Sequence, residues 1–265
     1  MRIQLSCSIL KKKTLAVEGI FSTGRVSKLK RRLSMSELSK QIRARLEHDP
    51  AVNLHASDLV ITDAEVVHLK GVVPDIRAKR KAWRIASELA QGKGVNDELR
   101  LQSDLKEGDD RLAEALDLAL RKDSIFHTLL IRNLNAGDEP LERDSNGIEL
   151  SAADGVLAMA GQVPSLSHRR LAEVNAWWTP GVVDVDNRLQ LQWPEEENDD
   201  EISDTLLLVM EKDWFLHGHE IRVQVRNKEV TLLGRVASSA LSQRAEWDCW
   251  YVPGVREVHN SLTVS

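Results

Sequence analysis

The chain has 265 residues, 42% of them hydrophobic and 29% charged, a balance ordinary for a globular protein. No apolar run approaches the ~18 residues needed to span a bilayer, which excludes a helical transmembrane protein. The net charge of −5 hides an asymmetry. Residues 1–35 hold nine Lys/Arg against Glu18, a charge of +8, and the remaining 27 basic and 40 acidic residues leave −13. A body this acidic is a poor nucleic-acid binder, because a phosphate path needs positive charge along it.

The basic arm, residues 1–35, shows no sustained apolar period and is expected to lack packed structure. Lys11-Lys12-Lys13 follow a short apolar stretch, the reverse of a secretory signal. No export signal is therefore read. A cytoplasmic location is expected, with a periplasmic or membrane-peripheral one as the alternative. Met35-Ser36-Glu37 reads as a natural start. Cys7 and Cys249 lie in unrelated places and form neither a disulfide framework nor a metal site.

The rest of the chain repeats three times. Each repeat opens on an amphipathic helix with apolar residues four apart: Leu38, Ile42, Leu46; Leu112, Leu116, Leu120; Ile202, Leu206, Met210. An Asp follows three residues later, at Asp49, Asp123 and Asp213. A first strand is expected near Asp58–Ile61, Ile148–Ala152 and Ile221–Val225. Asp154-Gly155 is a hairpin signal and Asn227-Lys228 a weaker one. The second strand carries a central glycine, at Gly71, Gly161 and Gly234, with alternating apolar residues around it. A glycine there implies close approach of a neighbour. A second helix starts near Pro74, Pro164 or Ser238, with small inward residues Ala82 and Ala86, Ala172 and Ala176, Ala245 and Cys249. A third strand closes each unit. The expected repeats are 36–102, 108–192 and 199–265. The second holds about 16 extra residues within Ser124–Asn146, most of them expected as a surface loop, although the apolar piece Ile125–Ile131 is open to a strand or a helix extension.

Two motifs carry a resemblance. The second strand reads Val-x-Leu-x-Gly-x-Val, most clearly at Val230–Val236. The close reads Pro-Gly-Val-x-x-Val-x-Asn-x-Leu, as in Pro180–Leu189 and Pro253–Leu262. Residues 36–265 thereby resemble three tandem BON domains. Repeat one departs from the pattern, with Gln91–Gly94 for the Pro-Gly-Val turn and Asn96-Asp97 before Leu99. The resemblance implies an α+β fold of αββαβ units, each a three-stranded mixed sheet with two helices on one face. It also implies a non-enzymatic module of bacterial stress or envelope physiology, with no cofactor. The partners it implies are a phospholipid surface or, in one type, potassium.

The residues themselves offer few chemical sites. His217-Gly218-His219 lacks further metal ligands nearby. Asp144-Ser145 with His127 or His168 lacks a nucleophile elbow. Arg77, Arg80, Lys81 and Arg84 form one helical stripe, a candidate contact for anionic lipid that is more simply a solvated face. Trp247, Trp250 and Tyr251, with Trp177 and Trp178, are expected on outward faces of the second helices of repeats three and two. Repeat one has Arg84, Ser87 and Glu88 there. That much aromatic surface implies an interface, with repeats two and three packed together and repeat one more loosely attached. A homodimer or a membrane contact is the alternative.

Overall fold

A computed structural model describes residues 36–52, 59–142 and 145–265. The expectations for the basic arm, Cys7, Asp58 and Asp144 lie outside the described residues.

Repeat one consists of α1 (Glu37–Glu47), β1 (Val60–Asp63), β2 (Val67–Val73), α2 (Ile76–Leu89) and β3 (Val95–Leu101). Repeat two consists of α3 (Asp109–Lys122), β4 (Leu130–Asn133), β5 (Gly147–Ala153), β6 (Val156–Val163), α4 (Leu166–Trp177) and β7 (Asp184–Leu191). Repeat three consists of α5 (Asp199–Lys212), β8 (Glu220–Arg226), β9 (Glu229–Val236), α6 (Ser239–Tyr251) and β10 (Glu257–Val264). In each, the glycine strand is central, antiparallel to the strand before it and parallel to the strand after the crossover helix. The parallel register is the same three times: Gly71 opposite Leu99, Gly161 opposite Leu189, and Gly234 opposite Leu262.

The second sheet departs from the expected three strands. Part of the insertion folds as a strand: it contributes β4, which pairs parallel with β5 and makes a four-stranded sheet. Phe126, Leu129, Ile131 and Asn133 from this segment are buried. Their burial explains why the apolar piece Ile125–Ile131 folds onto the sheet edge.

Local chemistry explains the boundaries. Asp75, Ser165 and Ser238 cap the crossover helices by accepting the backbone N–H three residues on, at 2.8, 3.3 and 3.3 Å. The hairpin turns of repeats two and three hold both central residues at positive φ: Asp154 and Gly155 at 52° and 77°, Asn227 and Lys228 at 52° and 64°. Each turn is gripped by an aspartate at the start of the first helix. Asp109 accepts the N–H groups of Asp154 and Gly155, and Asp199 those of Asn227 and Lys228.

The three Asp residues after the first helix share one job. Asp49, Asp123 and Asp213 each accept the N–H two residues on. At the closing strand, Asn187 and Asn260 accept the N–H of Leu189 and Leu262, and their amide nitrogens donate to the carbonyls of Arg169 and Ser242 on the crossover helix. Repeat one keeps this brace with different atoms. Asp97 accepts the N–H of Leu99 and pairs with Lys79, the α2 counterpart of Arg169 and Ser242, at 3.1 Å. Its departure from the repeated motif is therefore a compensated exchange of amide–carbonyl for carboxylate–ammonium.

Among the described residues the apolar cores are two. One belongs to repeat one, built on Ile42, Leu46, Val67, Leu69, Ala82 and Leu99. The other runs without interruption through repeats two and three and takes in Ile76 at the start of α2.

Candidate functional site

The crossover helices of the three repeats meet, and the aromatic residues are at the junction. Trp177 is 5% exposed and Trp250 1%, while Trp178 and Tyr251 are half-buried. Trp177 stacks on Tyr251 with centroids 6.3 Å apart and planes at 16°. The Trp178 indole N–H donates to Asp248 at 2.9 Å. Trp247 stays on the surface, 40% exposed. Lys212 of α5 adds an ion pair to Asp123 after α3 at 2.6 Å. Repeats two and three thus share a face with an apolar centre and a polar margin.

Repeat one is attached differently. The stripe on α2 faces carboxylates of its neighbours. Arg77 meets Glu246 at 3.4 Å, Arg80 meets Glu173 at 2.7 Å, and Glu257 takes Lys81 at 2.9 Å and Arg84 at 3.4 Å. Lys81 also lies 5.8 Å from the Trp250 ring centroid. At the other end, buried Lys79 bridges its own Asp97 and Asp184 of β7, the latter at 3.0 Å. Burial pushes the Asp184 carboxyl above its ordinary value, against the pull of Lys79. The main chain joins there too, with the Leu101 N–H donating to the carbonyl of Val183 at 2.7 Å. The same four cations that the sequence offers to solvent or to lipid are engaged within the chain.

A carboxyl pair sits at the face between repeats two and three. Burial, then a hydrogen bond with Asp213, pushes the Asp248 carboxyl up to about 8, against the N–H of Trp178. Burial also works against ionisation of Asp213, but hydrogen bonds from Arg244, Asp248 and the Phe215 N–H outweigh it and hold its carboxyl low. Asp248 keeps the shared proton. A raised folded-state pKa means its contribution is complete below the unfolded value of ~4 and lost as the pH climbs through about 8. Asp213 works in the opposite sense and loses its contribution as the pH falls through its lowered value. Asp248→Asn keeps an acceptor for Trp178 and has no proton to lose. Its melting temperature is expected to exceed the wild type's in alkaline buffer, above the folded-state value, and to match it near pH 5 within ~2 °C. An equal alkaline loss in both proteins would contradict the shared proton.

Gly161 and Gly234 mark close approach. A Cβ on Gly234 would lie 1.9 Å from the Glu220 carbonyl oxygen, and one on Gly161 2.3 Å from that of Gly147. Gly71 has φ 146°. Cys249 is a fully buried free thiol, and burial raises its pKa.

Among the described residues no three His, Cys, Asp or Glu side chains gather as metal ligands, and no helix is long and apolar enough to cross a membrane. One feature escaped the sequence reading. Trp214 and Phe215 stand side by side on a 3-10 turn after α5, 75% and 58% exposed. The Arg244 guanidinium lies 4.3 Å from the Phe215 ring centroid. The Asp-Trp-Phe-Leu run after the first helix was the available signal.

The BON domain family model matches residues 34–103, 132–192 and 198–265. The chain belongs to the BON-domain family, as three tandem copies. No curated protein matches it. Among solved structures it is similar to the C-terminal domain of CdsD, the structural protein of the type III secretion system of Chlamydia trachomatis. That match has 14% identity over 87% of this chain and 98% of that one, at a TM-score of 0.23. A second CdsD structure matches at 15% identity over 86% and 92%, again at 0.23. Similarity this low carries no functional inference.

Proposed function

We propose that the chain is a non-enzymatic binding scaffold of bacterial stress or envelope physiology, which touches a phospholipid surface through the aromatic tip of repeat three. The observation that supports this is the exposed pair Trp214 and Phe215. The other aromatic residues named as candidates are largely turned inward, and the α2 cations have carboxylate partners. Adjacent Trp and Phe on a turn favour the boundary between headgroups and acyl chains. The family's association with phospholipid agrees with such a contact. Arg244 beneath Phe215 is engaged by Asp213, so the contact rests on apolar insertion more than on charge.

Sedimentation with anionic liposomes tests this. The wild type is expected to sediment with only a modest salt dependence, and Trp214→Ala with Phe215→Ala to weaken binding at least ~10-fold while the melting temperature holds. An intact chain that leaves liposomes alone at low salt would contradict the reading.

A second reading, a cytoplasmic sensor of a small ligand or of potassium, is favoured by the grooves where the repeats meet. One of them, 880 Å³, lies between repeats one and two and is lined in part by Lys79, Asp97 and Asp184. Identical melting curves in KCl and NaCl at equal ionic strength would count against potassium.

A further inference from the structure

We propose that repeats one and three, with the linker that joins repeats two and three, form a binding site for a small soluble phosphate ester. It lies where α2, the linker before α5, the β8–β9 turn and the turn before β10 enclose a cavity of 540 Å³. Arg80, Trp83, Arg84 and Ser87 of α2 form one wall, and Lys228 and Arg256 face it. The lining carries four cations against two carboxylates, Glu88 and Glu197.

Unsatisfied donors converge here. Among the described residues eight buried side-chain nitrogen or oxygen atoms lack a hydrogen-bond partner. Three belong to this wall: Arg80 Nε, Arg84 Nε and Ser87 Oγ. Two more are Nη1 and Nη2 of Arg170, which is fully buried behind it. Nη2 lies 3.9 Å from Glu197 Oε1, and 3.8 Å from the position of a Cβ on Gly254, both residues of the lining. Five of the eight therefore cluster at one place, and a buried donor without a partner is costly.

The carboxylates do not remove this surplus. Glu197 is shared by Arg169 at 3.1 Å, Lys228 at 3.4 Å and Arg170 at 3.9 Å. Glu88 is taken by Arg256 at 3.1 Å. Arg80 and Arg84 each spend a terminal nitrogen on a carboxylate, Glu173 and Glu257, and keep Nε free of partners.

The cavity exists because repeat one breaks the repeat pattern. Ser87 occupies the α2 position that Trp177 and Trp250 fill in α4 and α6, and Arg84 that of Val174 and Trp247. In the other two helices those positions carry apolar or aromatic bulk; here they carry a hydroxyl and a guanidinium.

Guanidinium N–H groups and a hydroxyl suit the oxygens of a phosphate. The volume lies within the ~300–1,000 Å³ usual for small-molecule pockets and exceeds what orthophosphate alone requires. Trp83, 46% exposed at the rim, offers a flat face for a planar group on the same molecule. This site goes beyond the lipid reading, and neither Trp214 nor Phe215 lines it.

Calorimetric titration of the full chain tests it with three probes: adenosine monophosphate, inorganic phosphate and vesicles of phosphatidylglycerol. The nucleotide is expected to bind once per chain, and phosphate more weakly. Lys228→Met and Arg256→Met are each expected to weaken nucleotide binding at least ~10-fold. Both side chains are well exposed, at 37% and 53%, so the ligand-free melting temperatures should stay close to wild type. Trp83→Ala should weaken the nucleotide more than phosphate. No heat with either soluble probe, affinity unchanged in both methionine variants, or binding to vesicles alone would each overturn the proposal. Trp214→Ala with Phe215→Ala should leave nucleotide binding unchanged, which separates this site from the lipid contact.

Discussion

Trp177→Ala combined with Trp250→Ala is expected to destabilise residues 109–264 by about 4–8 kcal/mol without changing the oligomeric state. A buried Trp→Ala change costs roughly 3–5 kcal/mol through lost burial and the cavity left behind. Both side chains are nearly fully buried in the core that repeats two and three share. The two losses should not add in full, because the residues belong to one packed face. Against a total stability of roughly 5–15 kcal/mol the double variant stands near unfolding. Trp177→Phe, which keeps a ring against Tyr251, supplies a folded comparison and should lose only part of this. Chemical denaturation with sedimentation velocity reads both quantities. Dissociation of an oligomer with the fold intact would assign the aromatic face to a contact between chains. Loss of liposome binding alone would assign it to lipid.

Gly234→Val is the other large effect. The glycine adopts φ 132°, which side chains avoid. A Cβ there would sit 1.9 Å from a backbone carbonyl oxygen on the antiparallel neighbour. Overpacking alone costs about 1–3 kcal/mol. The backbone conformation adds about 1–3 kcal/mol, so a loss of about 2–6 kcal/mol is expected by chemical denaturation. Gly92→Ala separates the two terms. Gly92 has φ 95° but nothing within 4 Å of the added atom, so it should show the backbone cost alone. Equal losses in the two variants would mean that close approach contributes nothing at Gly234.

Much of the fold was legible because it is local and repeated. The spacing from Gly71, Gly161 and Gly234 to Leu99, Leu189 and Leu262 becomes strand register directly. The apolar residues four apart in the first helices are the ones that bury, with Leu38 and Met210 at the margin. What escaped depends on partners distant in sequence. β4 forms only because β5 offers it an edge. Asp109 reads as an ordinary acidic helix start until the turn 45 residues later is brought to it. The α2 stripe is a solvated face on sequence alone, because its partners Glu173, Glu246 and Glu257 lie on other repeats. The helical wheel places Trp250 away from its own sheet and cannot say what covers it.

The central claim is that repeats two and three are one body with a common core, to which repeat one is held chiefly by ion pairs. Distances between paired spin labels test it most directly. In a Cys7→Ser chain, Glu65→Cys, Glu114→Cys and Arg235→Cys place labels at exposed positions on repeats one, two and three. Raising NaCl from about 0.1 to 1 M shortens the screening length from ~10 to ~3 Å. The account predicts that the distances from Glu65→Cys to both other positions broaden, while the Glu114→Cys to Arg235→Cys distance stays narrow. Broadening of that last distance as early as the others, or three distances insensitive to salt, would contradict it.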